Sequence, residues 1–163
     1  MTQHTQVTRR RTAARLLAAV VGVVYLVLAV AGFALTGTGE FTQSTAHQVL
    51  IFDVSTLQNI VHAVVGVLGL LAAWQRTGNG TQFYGWAVLV VFFVLFCYGT
   101  VTLLASTGVT GDPLNLNWPD NWLHLVTAVA GLAIGVLALR SGPTRTANAR
   151  PGFAGPQSAP GHR

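Results

Sequence analysis

The sequence predicts an all-α, polytopic membrane protein: four transmembrane helices arranged as two similar hairpins, with both termini in the cytoplasm. Composition is the first ground, since 52% of the 163 residues are hydrophobic and 8% are charged, more apolar surface than one soluble core of this size hides. Four stretches without charge are the second, each close to the about 20 residues that cross a bilayer core as a helix. The third is the sign of the charges, which alternates from one connection to the next and so orients the spans.

Residues 1 to 12 are polar and basic and are expected to form a disordered cytoplasmic tail. The transmembrane domain follows over residues 13 to 140, with spans at about Leu16 to Leu35, Leu57 to Trp74, Phe83 to Ala105 and Trp122 to Leu139. The first apolar run exceeds the about 7 to 15 residues of a signal-peptide core, so it is read as a span and not as a cleaved leader. Residues 141 to 163, rich in Pro, Gly, Ser and Arg, are expected to form a second disordered tail.

Arg9, Arg10, Arg11 and Arg15 precede the first span, Arg76 separates the second from the third, and Arg140, Arg145, Arg150 and Arg163 follow the fourth. The acids Glu40, Asp53, Asp112 and Asp120 all fall in the other two connections. Positive charge stays inside, which places the termini and the Arg76 turn in the cytoplasm and the acidic connections outside; the absence of lysine beside abundant alanine, glycine and arginine points to a bacterial genome. The formal charge of +5 therefore marks a membrane side and gives no nucleic-acid surface. Trp74, Tyr84 and Trp86 at inner ends, with Trp118 and Trp122 at an outer end, read as interfacial anchors.

The short turn QRTGNGTQ makes the second and third helices antiparallel neighbours. In the first outer connection, HQVLIFDV is apolar but too short to cross, and is expected at the interface or against the mouth of the bundle. Asp53 or Ser55 then caps the second helix, with Gln58 as capping-box partner of Ser55. Asn117 caps the fourth, with Pro119 in its first turn and Asp120 near the positive end of its dipole.

Two polar pairs recur inside the apolar runs. Asn59 and His62 match Asn121 and His124 at an offset of 62 residues (59 to 121), and Gly69 matches Gly131. No comparable echo links the first and third spans. At helical spacing Asn59, His62, Gly66, Gly69 and Ala73 share one face of the second helix, and Asn121, His124, Ala128, Gly131 and Gly135 share one face of the fourth. Small residues at that spacing admit another backbone, so both faces are expected to point inward and to pack the two hairpins together. Cys97, Tyr98, Thr100 and Thr102 of the third span reach a similar depth and are expected to complete a polar pocket there.

Three functional readings fit these residues. In the first, the histidines and asparagines bond across helices in a non-catalytic membrane component that requires no cofactor. The expected partners are the lipid bilayer and a second copy or another membrane protein. In the second, His62 and His124 ligate a b-type haem, or join Cys97 around copper or zinc. The third is a small proton-coupled transporter or channel. No GxSxG, HExxH or Walker loop and no intramembrane carboxylate pair points to an enzyme. The lone Cys97 excludes an intramolecular disulfide.

The strings LQNIVHAVVGVLGL and DNWLHLVTAVAGLAIG, with Tyr25 ahead of AVAGF in the first span, resemble the bacterial membrane family catalogued as domain of unknown function 4383. The likeness covers about residues 15 to 140 and rests on Asn59, His62, Gly66, Gly69, Asn121, His124 and Gly131. It implies a small four-helix inner-membrane protein and no particular activity.

Overall fold

The structure, a computed structural model, describes residues 3–38, 48–75, 78–105, 114 and 116–139. Four helices carry the fold: α1 (Gln3–Thr36), α2 (Thr56–Trp74), α3 (Gly78–Leu104) and α4 (Trp118–Leu139). Each is long and apolar enough to cross a membrane, and the chain is a multi-pass membrane protein. The expectations for residues 141 to 163, the Arg76 turn, Glu40 and Asp112 lie outside the described residues.

The first helix starts at Gln3, inside the segment read as a disordered tail. Once the apolar part of a helix is formed, each residue added at its end gains a backbone hydrogen bond for one residue fixed, so Thr, Gln and Arg prolong it readily. Arg15 is held where this extension meets the span, its Nε donating to the Ala73 carbonyl at 2.6 Å. At the other end Gly37 takes φ +62° and donates to Phe33 O at 2.9 Å, a left-handed stop that glycine allows without steric cost.

Part of the connection between α1 and α2 is a tight antiparallel hairpin of two-residue strands, β1 (Gln48–Val49) and β2 (Phe52–Asp53). Leu50 turns it at φ 58°, a conformation that costs a β-carbon-bearing residue about 1 to 2 kcal/mol. The hairpin rests against the start of α4, which is the second of the two placements expected for it: Asn117 Nδ2 donates to Ile51 O at 2.9 Å. Its strand pairing has no sequence signal, because alternation over so few residues gives no period to read.

Helices α1 and α2 pack as one antiparallel pair and α3 and α4 as another, and α1 and α4 join the pairs. The glycines act within pairs. Gly22 lies under Gly66 and Gly69 of α2, where an added Cβ would stand 2.9 Å from Gly66 O; at Gly85 it would stand 2.5 Å from Gly135 N of α4. This corrects the expectation that the glycine faces of the second and fourth helices pack the hairpins on each other: those faces seat each helix on its own hairpin partner. Lipid is as apolar as leucine, so close backbone approach is what makes such contacts favourable. The second and third helices, expected as close neighbours, touch little. Between them an apolar groove of about 290 Å³ runs along Val61, Val65, Leu68, Val88 and Phe92.

Tyr84 is 5% exposed and donates to Val65 O at 3.2 Å, so it is a core residue and not the interfacial anchor expected. Trp74, Trp118 and Trp122 are exposed, as anchors require.

Gly131→Ala would place a Cβ 2.6 Å from the Leu89 backbone nitrogen, whereas nothing lies within 4 Å of one at Gly78. Thermal unfolding in mild detergent should show Gly131→Ala destabilised by about 1 to 3 kcal/mol. Gly78→Ala, at the start of α3, should stay near the parent. Equal midpoints for the two variants would contradict the close-approach account.

Candidate functional site

Ser55 caps α2, its Oγ accepting from Gln58 N at 3.2 Å. Gln58 does not return the bond as a capping-box partner, because its side chain crosses to α4, where Nε2 donates to Asp120 Oδ1 at 3.4 Å. The reciprocal box forms on α4 instead: Asp120 N donates to Asn117 Oδ1 at 2.9 Å, and Asn117 N donates to Asp120 Oδ2 at 3.2 Å. Asp53 N donates to that same oxygen at 3.2 Å. Asp120 thus does more than cap. At 1% exposure it ties the hairpin, α2 and α4 together at one end of the bundle.

Next in sequence to Gln58 and Asp120, the two asparagines make matching arrangements. Asn59 Nδ2 donates to Thr36 Oγ1 and Asn121 Nδ2 donates to Thr100 Oγ1, both at 3.0 Å. Each threonine hydroxyl donates in turn to a nearby carbonyl, Thr36 to Gly32 O or Gly37 O, both at 3.1 Å, and Thr100 to Phe96 O at 2.8 Å. The amide oxygen of Asn59 occupies the place a Cβ would take on Gly32, and that of Asn121 the corresponding place on Gly99. Glycine at 32 and 99 therefore makes room for the asparagines, whose oxygens lie against an α-carbon with weakly polar hydrogens.

Below the asparagines, four rings form a row across the bundle, one from each helix. His62 of α2 meets Tyr25 of α1 edge to face at 5.1 Å, Tyr25 meets Phe92 of α3 at 5.2 Å, and Phe92 meets His124 of α4 at 5.5 Å. All four rings are buried. Thr127 gives its proton to Leu123 O at 2.8 Å, so the 2.8 Å contact with Tyr25 has the phenol donating to Thr127 Oγ1.

Of the residues expected on the packing faces, Asn59, His62, Gly66 and Gly69 on α2 and Asn121, His124, Ala128, Gly131 and Gly135 on α4 are buried. On α2 it is Ala72 and not Ala73 that completes the buried face. Cys97 does not join the histidines: it is exposed on α3, and among the described residues no three His, Cys, Asp or Glu side chains gather as a metal cluster. Tyr98 is exposed, and Thr102 spends its hydroxyl on Tyr98 O and Gly99 O of its own helix. Of the third-span residues expected in the pocket, Thr100 alone takes part.

The family model described as Domain of unknown function (DUF4383) matches residues 15–137. The chain belongs to that family. No curated protein and no solved structure matches it. In this DUF4383 chain the matched segment contains the asparagine pairs, the ring row and Asp120. Sequence reading missed Tyr25 and Phe92 as site residues, though a lone tyrosine within the first apolar run was the available signal for one of them.

Asp120→Ala should release β2 and the side chain of Gln58 together, costing about 3 kcal/mol of stability through the loss of several buried acceptor contacts. Hydrogen exchange of the Asp53 amide should accelerate strongly, while Val88 in the middle of α3 should change no more than global stability requires. Unchanged protection at Asp53 would contradict the role given to Asp120.

Proposed function

We propose that the chain is a non-catalytic component of a bacterial cytoplasmic membrane, made of two copies of one helical hairpin, with both termini on the cytoplasmic face. The duplication is supported above all by the matched surroundings of the asparagines. At the 62-residue offset of α2 and α4, Asn59 and His62 pair with Asn121 and His124; at an offset of 67 residues (25 to 92) Tyr25 pairs with Phe92 and Gly32 with Gly99. Each pair occupies corresponding places, glycine under asparagine and aromatic ring beside histidine. The two offsets differ because the outer connections differ in length.

Polar side chains in hydrocarbon must find partners, and here most find them on neighbouring helices, which is the work of a joint between packed units. The packed row of rings supports the reading without a haem. A cavity of about 30 Å³ adjoins the histidines, against the roughly 300 Å³ or more of a pocket for a ligand of that order of size. Toward the other end, Ala18, Ala72, Val88 and Ile134 fill the core, which favours a packed bundle over a transport pathway. The exposed apolar faces are left for lipid and for a second copy or another membrane protein.

Two measurements bear on this reading. In a Cys97→Ser background, Ser44→Cys and Ser106→Cys should label from outside intact cells with an impermeant maleimide, and Thr5→Cys and Ser158→Cys only after permeabilisation; the reverse pattern would invert the orientation. Asn59→Ala and Asn121→Ala should each lower detergent stability by about 1 to 2 kcal/mol and by similar amounts. A large difference between them would separate the two hairpins in role and weaken the duplication.

A further inference from the structure

Several buried polar atoms lack a protein partner among the described residues, and three of them belong to side chains that line one cavity. Gln58, His62 and His124 are 3%, 4% and 3% exposed, and Gln58 Oε1, His62 Nδ1 and His124 Nδ1 have no hydrogen-bond partner. All three residues border the cavity of about 30 Å³, whose remaining wall is apolar and includes Phe92, Leu114 and Leu116. An unpaired polar atom in such surroundings costs about 1 to 3 kcal/mol, and a concentration of them beside a void is the usual mark of a missing water or ion. The amide oxygens of Asn59 and Asn121, also without hydrogen-bond partners, are accounted for by their glycines. No comparable neighbour serves the histidines.

We propose that this cavity is a binding site for one late first-row transition-metal ion, held by the imidazoles of His62 and His124 with the side-chain oxygen of Gln58. Neutral imidazole presents a nitrogen lone pair that suits zinc, copper, nickel or iron, while calcium and magnesium demand a shell of oxygens that the site does not have. The volume matches a monatomic ion, or an ion with one water. Both imidazoles are buried and packed against a neighbouring ring, His62 against Tyr25 and His124 against Phe92, so little side-chain freedom is lost on binding.

Asp120 supplies the outer support that metal ligands ordinarily have. It accepts from the amide nitrogen of Gln58, which leaves the amide oxygen as the end available to an ion. Leu114 and Leu116 complete the apolar part of the cavity wall. The site differs from a cluster built with Cys97, which faces away.

The test uses the full chain, purified untagged in mild detergent, with His4, His47 and His162 replaced by Gln so that only the two intramembrane imidazoles remain. After chelator treatment the protein is titrated with cobalt(II), followed by its visible ligand-field bands, and the bound cobalt is then displaced with zinc(II). The expected result is saturation at one equivalent per chain, displacement by zinc and a raised thermal midpoint. His62→Gln and His124→Gln should lose the bands, Cys97→Ser should keep them, and Asp120→Asn should weaken binding by about 10- to 100-fold. Absence of saturable cobalt or zinc binding to the folded parent would overturn the site and leave the cavity to water alone. Bands that survive in both histidine variants would overturn it as well.

Discussion

The bundle depends on the burial of two imidazoles in apolar surroundings. A histidine exposed to lipid would carry two unsatisfied nitrogens in hydrocarbon, a cost of several kcal/mol, so His62 and His124 must face inward. Once they do, the rest of the middle layer is constrained. Each ring needs a flat neighbour, which Tyr25 and Phe92 provide, and those two must meet each other for the row to close. One ring from each helix then fixes the rotation of all four helices about their own axes.

Rotation alone does not hold helices together in lipid, where no hydrophobic effect drives association. The small residues provide the second condition. Gly22 against Gly66 and Gly69, and Gly85 against Gly131 and Gly135, bring backbones into direct contact on the side of the histidines away from the asparagines. On the opposite side Gly32 and Gly99 admit Asn59 and Asn121. Each hairpin is therefore pinned above and below its histidine, and the row of rings has only to join two units that are already formed.

Much of this is legible in the sequence. Helix number, the inward faces of α2 and α4 and the Ser55 and Asn117 caps follow from charge-free length, helical period and cap chemistry, all properties of short segments. What is not legible depends on partners distant in the chain. The glycine stripe indicates that a backbone approaches but not whose, so the hairpin interior reads as the contact between hairpins. Asp120 satisfies a local rule as a helix-start acid, and that explanation conceals its bonds to Asp53 and Gln58. Cys97 reaches the right depth but, as position along a span does not fix azimuth on a helix with no polar stripe, its face is misjudged. The echo between α1 and α3 is hidden because it is carried by Tyr opposite Phe and by two glycines, at an offset unlike that of α2 and α4.

That offset also exposes where the proposed copies part. Tyr25 donates to Thr127 across the α1 and α4 seam. The corresponding residues at the other seam are Phe92 and Val65, which have no hydroxyl between them. A hydrogen bond closes the first seam; the second holds the groove of about 290 Å³ lined by those same two side chains. Tyr84 and Thr81 do bond α3 to α2, through Val65 O and Ala72 O, but they do so toward the opposite end of the bundle from the asparagines. The two interfaces that a duplicated hairpin would make alike are thus made unlike by two side-chain oxygens. One seam is closed by a hydrogen bond, and the other is open along its groove.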